Sequence, residues 1–168
     1  QEISGVFPAA AKARELGCTT LLVPAGNAAE GGLVGGLHVV GIQNLQELLN
    51  YCCEGKMPSL PSIENQKKED GKEPDFSEVQ GQTAARRAAL IAAAGFHNLL
   101  MPPGSGKSMI ARRIPTIMPP MSEEEQMEVT RIYSIAGMLA KGEGVRRERP
   151  FRAPHHTISP QALAGGGK

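Results

Sequence analysis

Met101-Pro102-Pro103-Gly104-Ser105-Gly106-Lys107-Ser108 is the stretch that decides how this chain is read. Glycines let backbone N–H groups converge closely on an anion in dihedrals that other residues avoid. A helix start adds its own unpaired N–H groups and the positive end of its dipole. The apolar run 98–101 predicts a short strand before the loop. Residues 107–114 predict a helix after it, ended by Pro115. In such a strand–loop–helix unit, Lys107 reaches the β- and γ-phosphates of a nucleotide and the Ser108 hydroxyl takes Mg²⁺.

The phosphate-loop pattern is G-x-x-x-x-G-K-[ST]. Gly106, Lys107 and Ser108 match its end, but Met101 stands where the first glycine belongs. The loop is short by about one or two residues against the pattern, which distorts its β-phosphate side. The bland alternative is a Gly/Ser-rich turn that merely precedes a helix. Lys-Ser directly after Gly-Ser-Gly argues against it, although the motif alone fits kinases, transporters and helicases equally well.

Working outward, residues 83–94 predict an Ala-rich helix with Arg86 and Arg87 on its polar side, stopped by Gly95. Ser122-Glu123-Glu124-Glu125 reads as a capping box opening a helix to about Ala136. Residues 141–168, rich in Gly, Arg and Pro, read as loop or hairpin. Residues 1–55 form a small α/β unit. It has a helix over 8–16 with Gly17 as its stop, strands at 19–23 and 37–40, Asn27 capping a short turn, and a helix over 45–51 capped by Asn44. Leu45, Leu48 and Leu49 share one face of that last helix, and Cys52-Cys53 at its end read as small hydrophobes, buried or half-buried. Met118 and Met121 read as core filler around Pro119-Pro120. Between the two parts, 56–74 is dense in charge and sparse in aliphatic residues, which predicts a linker.

Composition limits the possibilities. The chain has 168 residues, 40% of them hydrophobic and 21% charged, with no Trp, and its net charge is +1. No global field draws it to nucleic acid or membrane. Arg146, Arg147, Arg149 and Arg152 around Phe151 are a local basic cluster; Arg147 and Arg152 are its candidate DNA contacts, with a solvated loop as the equal alternative. Cys18, Cys52 and Cys53 make an odd count with no disulfide framework, which fits a reducing cytoplasm. No apolar run has the length of a membrane span. His155-His156 reads as a loop pair held by hydrogen bonds rather than a metal site. The abrupt start at Gln1-Glu2-Ile3 reads as a fragment end.

Several blocks carry a family resemblance. They are Asp75-Phe76-Ser77-Glu78-Val79-Gln80-Gly81-Gln82, His97-Asn98-Leu99-Leu100, the phosphate loop, the run from Glu128 to Ser134, and Arg149-Pro150-Phe151-Arg152-Ala153-Pro154-His155-His156-Thr157. Together they resemble the magnesium-chelatase-like AAA+ ATPases of the ComM type, over essentially the whole chain.

The resemblance implies a P-loop NTPase (AAA+) fold, a three-layer α/β parallel sheet present in part over 75–168. Walker A and a helical insert lie inside that span, and Walker B and beyond are absent from it. Residues 1–55 then resemble the tail of a Lon-protease-like (ribosomal-S5-like) domain. Ala9 stands where Lon proteases have their catalytic lysine, so protease activity is not expected. The resemblance further implies ATP and Mg²⁺ as cofactors. Pro103, Gly104, Ser105, Gly106, Lys107 and Ser108 lie on the phosphates, and Val79 and Gln80 lie near the adenine. It also implies assembly into a ring, a hexamer, acting on DNA in transformation and recombination. The competitors are a magnesium-chelatase subunit for porphyrin metallation and a non-catalytic scaffold with a degenerate loop. Without the Walker B carboxylates, the expectation is weak nucleotide binding and no turnover.

Overall fold

The computed structural model describes residues 1–58, 74–102, 104, 106–140 and 142–165. The linker expected over 56–74 lies almost wholly outside the described residues. The fold is mixed α/β, and the described residues separate into two compact units. One is drawn from Gln1–Gly71 with Met121–Arg147, the other from Lys72–Pro120 with Glu148–Lys168.

In the first unit, helix α1 (Val6–Glu15) leads to strand β1 (Thr20–Pro24), a short helix α2 (Ala28–Gly31), strand β2 (His38–Ile42) and helix α3 (Leu45–Glu54). Gly17 is left-handed just past α1, as its stop position requires. The strands pair in parallel, Thr20 opposite His38 through Pro24 opposite Ile42. A parallel pair needs a crossover, and residues 25–37 with α2 supply it. Gly41 permits the close pass of this crossover, since a Cβ there would lie 3.0 Å from Ala25 Cα. Phe7, Ala10 and Val34 form the buried core, with Leu21, Leu33 and Leu37 packed against it.

Helix α6 (Glu123–Ile135) belongs to this unit although it begins 92 positions after the end of α2. It opens with the capping box: Glu125 N–H donates to Ser122 Oγ at 3.2 Å, and Ser122 N–H to Glu125 Oε2 at 2.9 Å. At its other end, Gly5 N–H donates to the Ser134 carbonyl at 3.0 Å. The Ser134 hydroxyl donates to Glu30 Oε1 at 2.5 Å. That carboxylate also accepts Phe7 N–H at 3.0 Å and the Asn27 amide at 3.1 Å. Asn27 is therefore no helix cap. Its side chain bonds both backbone groups of Ile3 and leaves the α2 start without a side-chain partner. Glu30, Asn27 and Ser134 line a polar cavity of about 170 Å³.

Two readings of α3 change. Asn44 caps it as expected, accepting from Glu47 N–H at 2.9 Å. No α3 residue is buried, however, and Leu45 and Leu49 are exposed. Cys52 and Cys53, read as buried or half-buried, are exposed thiols at the end of this helix.

The second unit contains α4 (Thr83–Gly95), α5 (Lys107–Arg113) and a short α7 (Pro160–Ala164), with 3₁₀ turns at Phe76–Glu78 and Ile114–Ile117. Helix α7 was not foreseen; Ser159 caps it by accepting from Ala162 N–H, and Pro160 occupies its first turn. Gly95 is the last helical residue of α4 rather than its stop, and Phe96 takes the left-handed cap at φ 52°. Residues 98–101 are not a strand. The described strands are β1 and β2 alone, so this segment has no ladder partner for its backbone groups. Phe76, Val79, Ala89 and Ile110 make the core, flanked by Leu99, Met101, Ile114 and Ile117. Of the two methionines read as filler, Met118 of this unit is half-buried, and Met121, which falls in the first unit, is buried.

Candidate functional site

The phosphate-loop residues sit where α5 begins. Gly106 is its N-cap at φ 64°, and Gly104 stands at φ 83° with open space where a side chain would project. A Cβ at either position would be strained, so the turn depends on glycine. Met109 and Ile110 N–H groups close on the Gly106 carbonyl at 3.0 and 3.2 Å. The earlier N–H groups, of Lys107 and Ser108, have no carbonyl one turn back within the helix. Both side chains are exposed. Pro103 and Ser105 lie outside the described residues. The glycine turn and the N–H donors of Lys107 and Ser108 suit an anion such as a phosphate.

Val79 and Gln80 take different places. Val79 is 1% exposed, packed in the core with Ile110 of α5, whereas Gln80 is exposed. Sequence reasoning missed what fixes this segment. Arg113, the last residue of α5, donates from Nε to the Asp75 carbonyl at 3.1 Å and from Nη2 to Glu78 Oε2 at 2.6 Å. Phe76 N–H donates to Thr116 Oγ1 at 3.2 Å, and Thr116 donates back to the Arg113 carbonyl at 2.8 Å. Asp75 caps the turn, accepting from Ser77 N–H. Hydrogen bonds from the Ser77 side chain and backbone hold its carboxyl below the ordinary aspartate value, with a small contribution from Arg113. Ion pairs between residues 35 apart leave no periodic trace in a sequence.

The basic cluster is divided between the units. In the first, Arg146 lies 4.0 Å over the Tyr133 ring and pairs with Glu143, while its N–H donates to the buried Thr130 hydroxyl. In the second, Arg149 donates to the Pro119 carbonyl at 2.7 Å and lies over Phe96. Those two arginines are structural ties. Arg147 and Arg152 are exposed. The rings of His155 and His156 stack 4.1 Å apart, and His155 bonds Thr157. Among the described residues no group of three metal-ligating side chains converges. No helix of the described residues is long and apolar enough to cross a membrane.

A glycine-turned loop delivering Lys-Ser into a helix, within a mixed α/β chain, is the local signature of the phosphate-loop class. Residues 75–168 match the family model for magnesium chelatase, subunit ChlI, and the chain belongs to that family, whose members have the AAA+ phosphate-loop fold. The chain is 39% identical over 167 residues to an uncharacterized protein of Mycobacterium tuberculosis. It is 37% identical over 174 residues to the uncharacterized protein YifB of Escherichia coli, and 36% over 171 residues to competence protein ComM of Haemophilus influenzae. Each match covers 98% of this chain and 32–33% of the relative. The chain thus spans about a third of the length of the curated relatives it matches, and it is a ComM-type, magnesium-chelatase-like protein.

Proposed function

We propose that this chain carries the ATP-binding front part of an AAA+ ATPase, with Lys107 on the nucleotide phosphates and Ser108 on Mg²⁺. The observation that supports it is the Gly104/Gly106 turn opening onto α5 inside the family-matched segment. Gly104, Gly106 and the flanking Pro103 and Ser105 complete the cradle, and Val79 and Gln80 mark the adenine side. The intact protein is a cytoplasmic hexameric ring motor working on DNA in transformation and recombination. The competence protein among its relatives supports that role. In this reading residues 1–55 are the tail of a Lon-like domain without protease chemistry, 56–74 a linker, and 75–168 the front of the ATPase. Arg147 and Arg152 contact DNA. A porphyrin-metallating subunit is the competitor within the family.

Titration calorimetry with Mg-ATP, on the parent and Lys107→Ala, tests the reading. Weak binding in the parent, lost in the variant, with no turnover in either, is expected. Equal binding by both would remove the phosphate loop from the site. Steady-state turnover abolished by Lys107→Ala would overturn the expectation that the chain alone is inactive. One observation favours a second reading, a scaffold that no longer binds ATP: Met101 replaces the first glycine, and 98–101 form no strand. Absence of nucleotide binding in the parent would favour it.

A further inference from the structure

Arg113 links two stretches that the nucleotide-binding reading assigns to opposite ends of one ligand. Its helix, α5, begins with Lys107 and Ser108 on the phosphate side. Its guanidinium holds Asp75 and Glu78, just ahead of Val79 and Gln80 on the base side. A fourth bond, to the Met109 carbonyl at 3.3 Å, fixes the guanidinium against its own helix. The Arg113 side chain is 18% exposed and that of Glu78 46%, so the pair is only partly screened by water. Thr116 adds a parallel tie through Phe76 N–H. Beneath these polar bonds, Phe76 and Val79 share the core with Ile110 of the same helix.

We infer that Arg113 is a positioning residue that joins the base-side segment and the phosphate loop into one preformed site. It touches neither the base nor the phosphates; it sets the spacing between the groups that do. This rests on the nucleotide-binding reading above. An arginine suits the task because its planar fork serves a carbonyl and a carboxylate together, which a lysine ammonium on a flexible stem does not. A ligand that needs both ends in place binds in proportion to the fraction of molecules in which both are in place. A ligand that touches only the phosphate loop is indifferent to it.

The test compares Mg-ATP with inorganic tripolyphosphate on the parent, Arg113→Ala and Arg113→Lys. If the alanine change leaves the base-side segment in place in about a tenth of molecules, ATP affinity falls about tenfold. Tripolyphosphate affinity stays at the parental value, and the lysine variant falls between. Amide exchange supplies a readout without ligand: Phe76 and Val79 N–H exchange faster in Arg113→Ala while Ile110 N–H does not. Equal weakening of both ligands would mean that Arg113 acts by holding α5 together, and unchanged affinities would mean that the tie is irrelevant to binding; either overturns the inference alone. A parent that binds neither ligand overturns the nucleotide reading and this inference with it.

Discussion

Replacing Glu30 by alanine tests how α6 is held to the first unit. One carboxylate accepts from Phe7 N–H, Ser134 Oγ–H and the Asn27 amide. Phe7 and Ser134 are each 2% exposed and Asn27 is 7% exposed. Removing the acceptor leaves three donors, each of which costs about 1–3 kcal/mol if buried and unsatisfied. The adjoining polar cavity of about 170 Å³ admits water, which recovers part of that loss. A net destabilisation of about 2–3 kcal/mol is expected.

Glu30→Gln keeps an oxygen for Phe7 and Ser134 but turns an amide N–H₂ toward that of Asn27. Asn27 cannot flip to meet it without losing its bonds to Ile3, so about 1 kcal/mol is expected. Urea unfolding followed by tyrosine fluorescence suits the question. The chain has no Trp, and its two tyrosines, Tyr51 and Tyr133, both lie in this unit. An alanine variant within about 0.5 kcal/mol of the parent, the usual range for surface changes, would refute the reasoning.

Further outcomes are open to measurement. Ser122→Ala removes one half of the capping box and should destabilise α6 by about 1 kcal/mol, read in the same unfolding experiment. Asp75 should titrate below an ordinary aspartate by NMR, and Ser77→Ala should return it toward that value. Because its folded value is depressed, its contribution to stability is present above the ordinary aspartate value and lost as pH falls through the depressed one. If Arg147 and Arg152 contact DNA, single-stranded DNA binding should weaken with salt, and Arg147→Glu with Arg152→Glu should flatten that slope. A parent without salt dependence would remove the DNA role from this stretch.

Local chemistry was legible because it depends on residues close in sequence. The capping box at Ser122, the Asn44 cap, the Gly17 stop and the turn glycines before Lys107 each follow from side-chain and dihedral preferences within a few positions. The family blocks were legible for a related reason, since fixed residue types in fixed order survive in one dimension. Among the local readings, the Asn27 cap and the Gly95 stop failed. Inference from apolar character was uneven: the runs at 19–23 and 37–40 do pair as strands, whereas α3 does not bury and 98–101 does not pair as expected. Cys52 and Cys53 are small and apolar enough for a core, yet both are exposed. Residues 98–101 have strand composition, but a strand exists only if another segment completes its hydrogen bonds.

Tertiary structure also decided which pieces belong together. Helix α6 lies within the family-matched span yet folds with the first unit, through Ser134 and Glu30, 104 residues apart. Arg113 reads in sequence as one more basic residue near a helix end; the fold turns it toward Asp75 and Glu78. The sequence by itself determined the Ser122 and Asn44 caps, the Gly17 stop and the turn glycines Gly104 and Gly106, because short-range sterics and hydrogen bonding settle them. Which carboxylate meets which donor across the chain was left to the packed fold, because burial and long-range pairing are properties of surfaces that exist only once the elements have met.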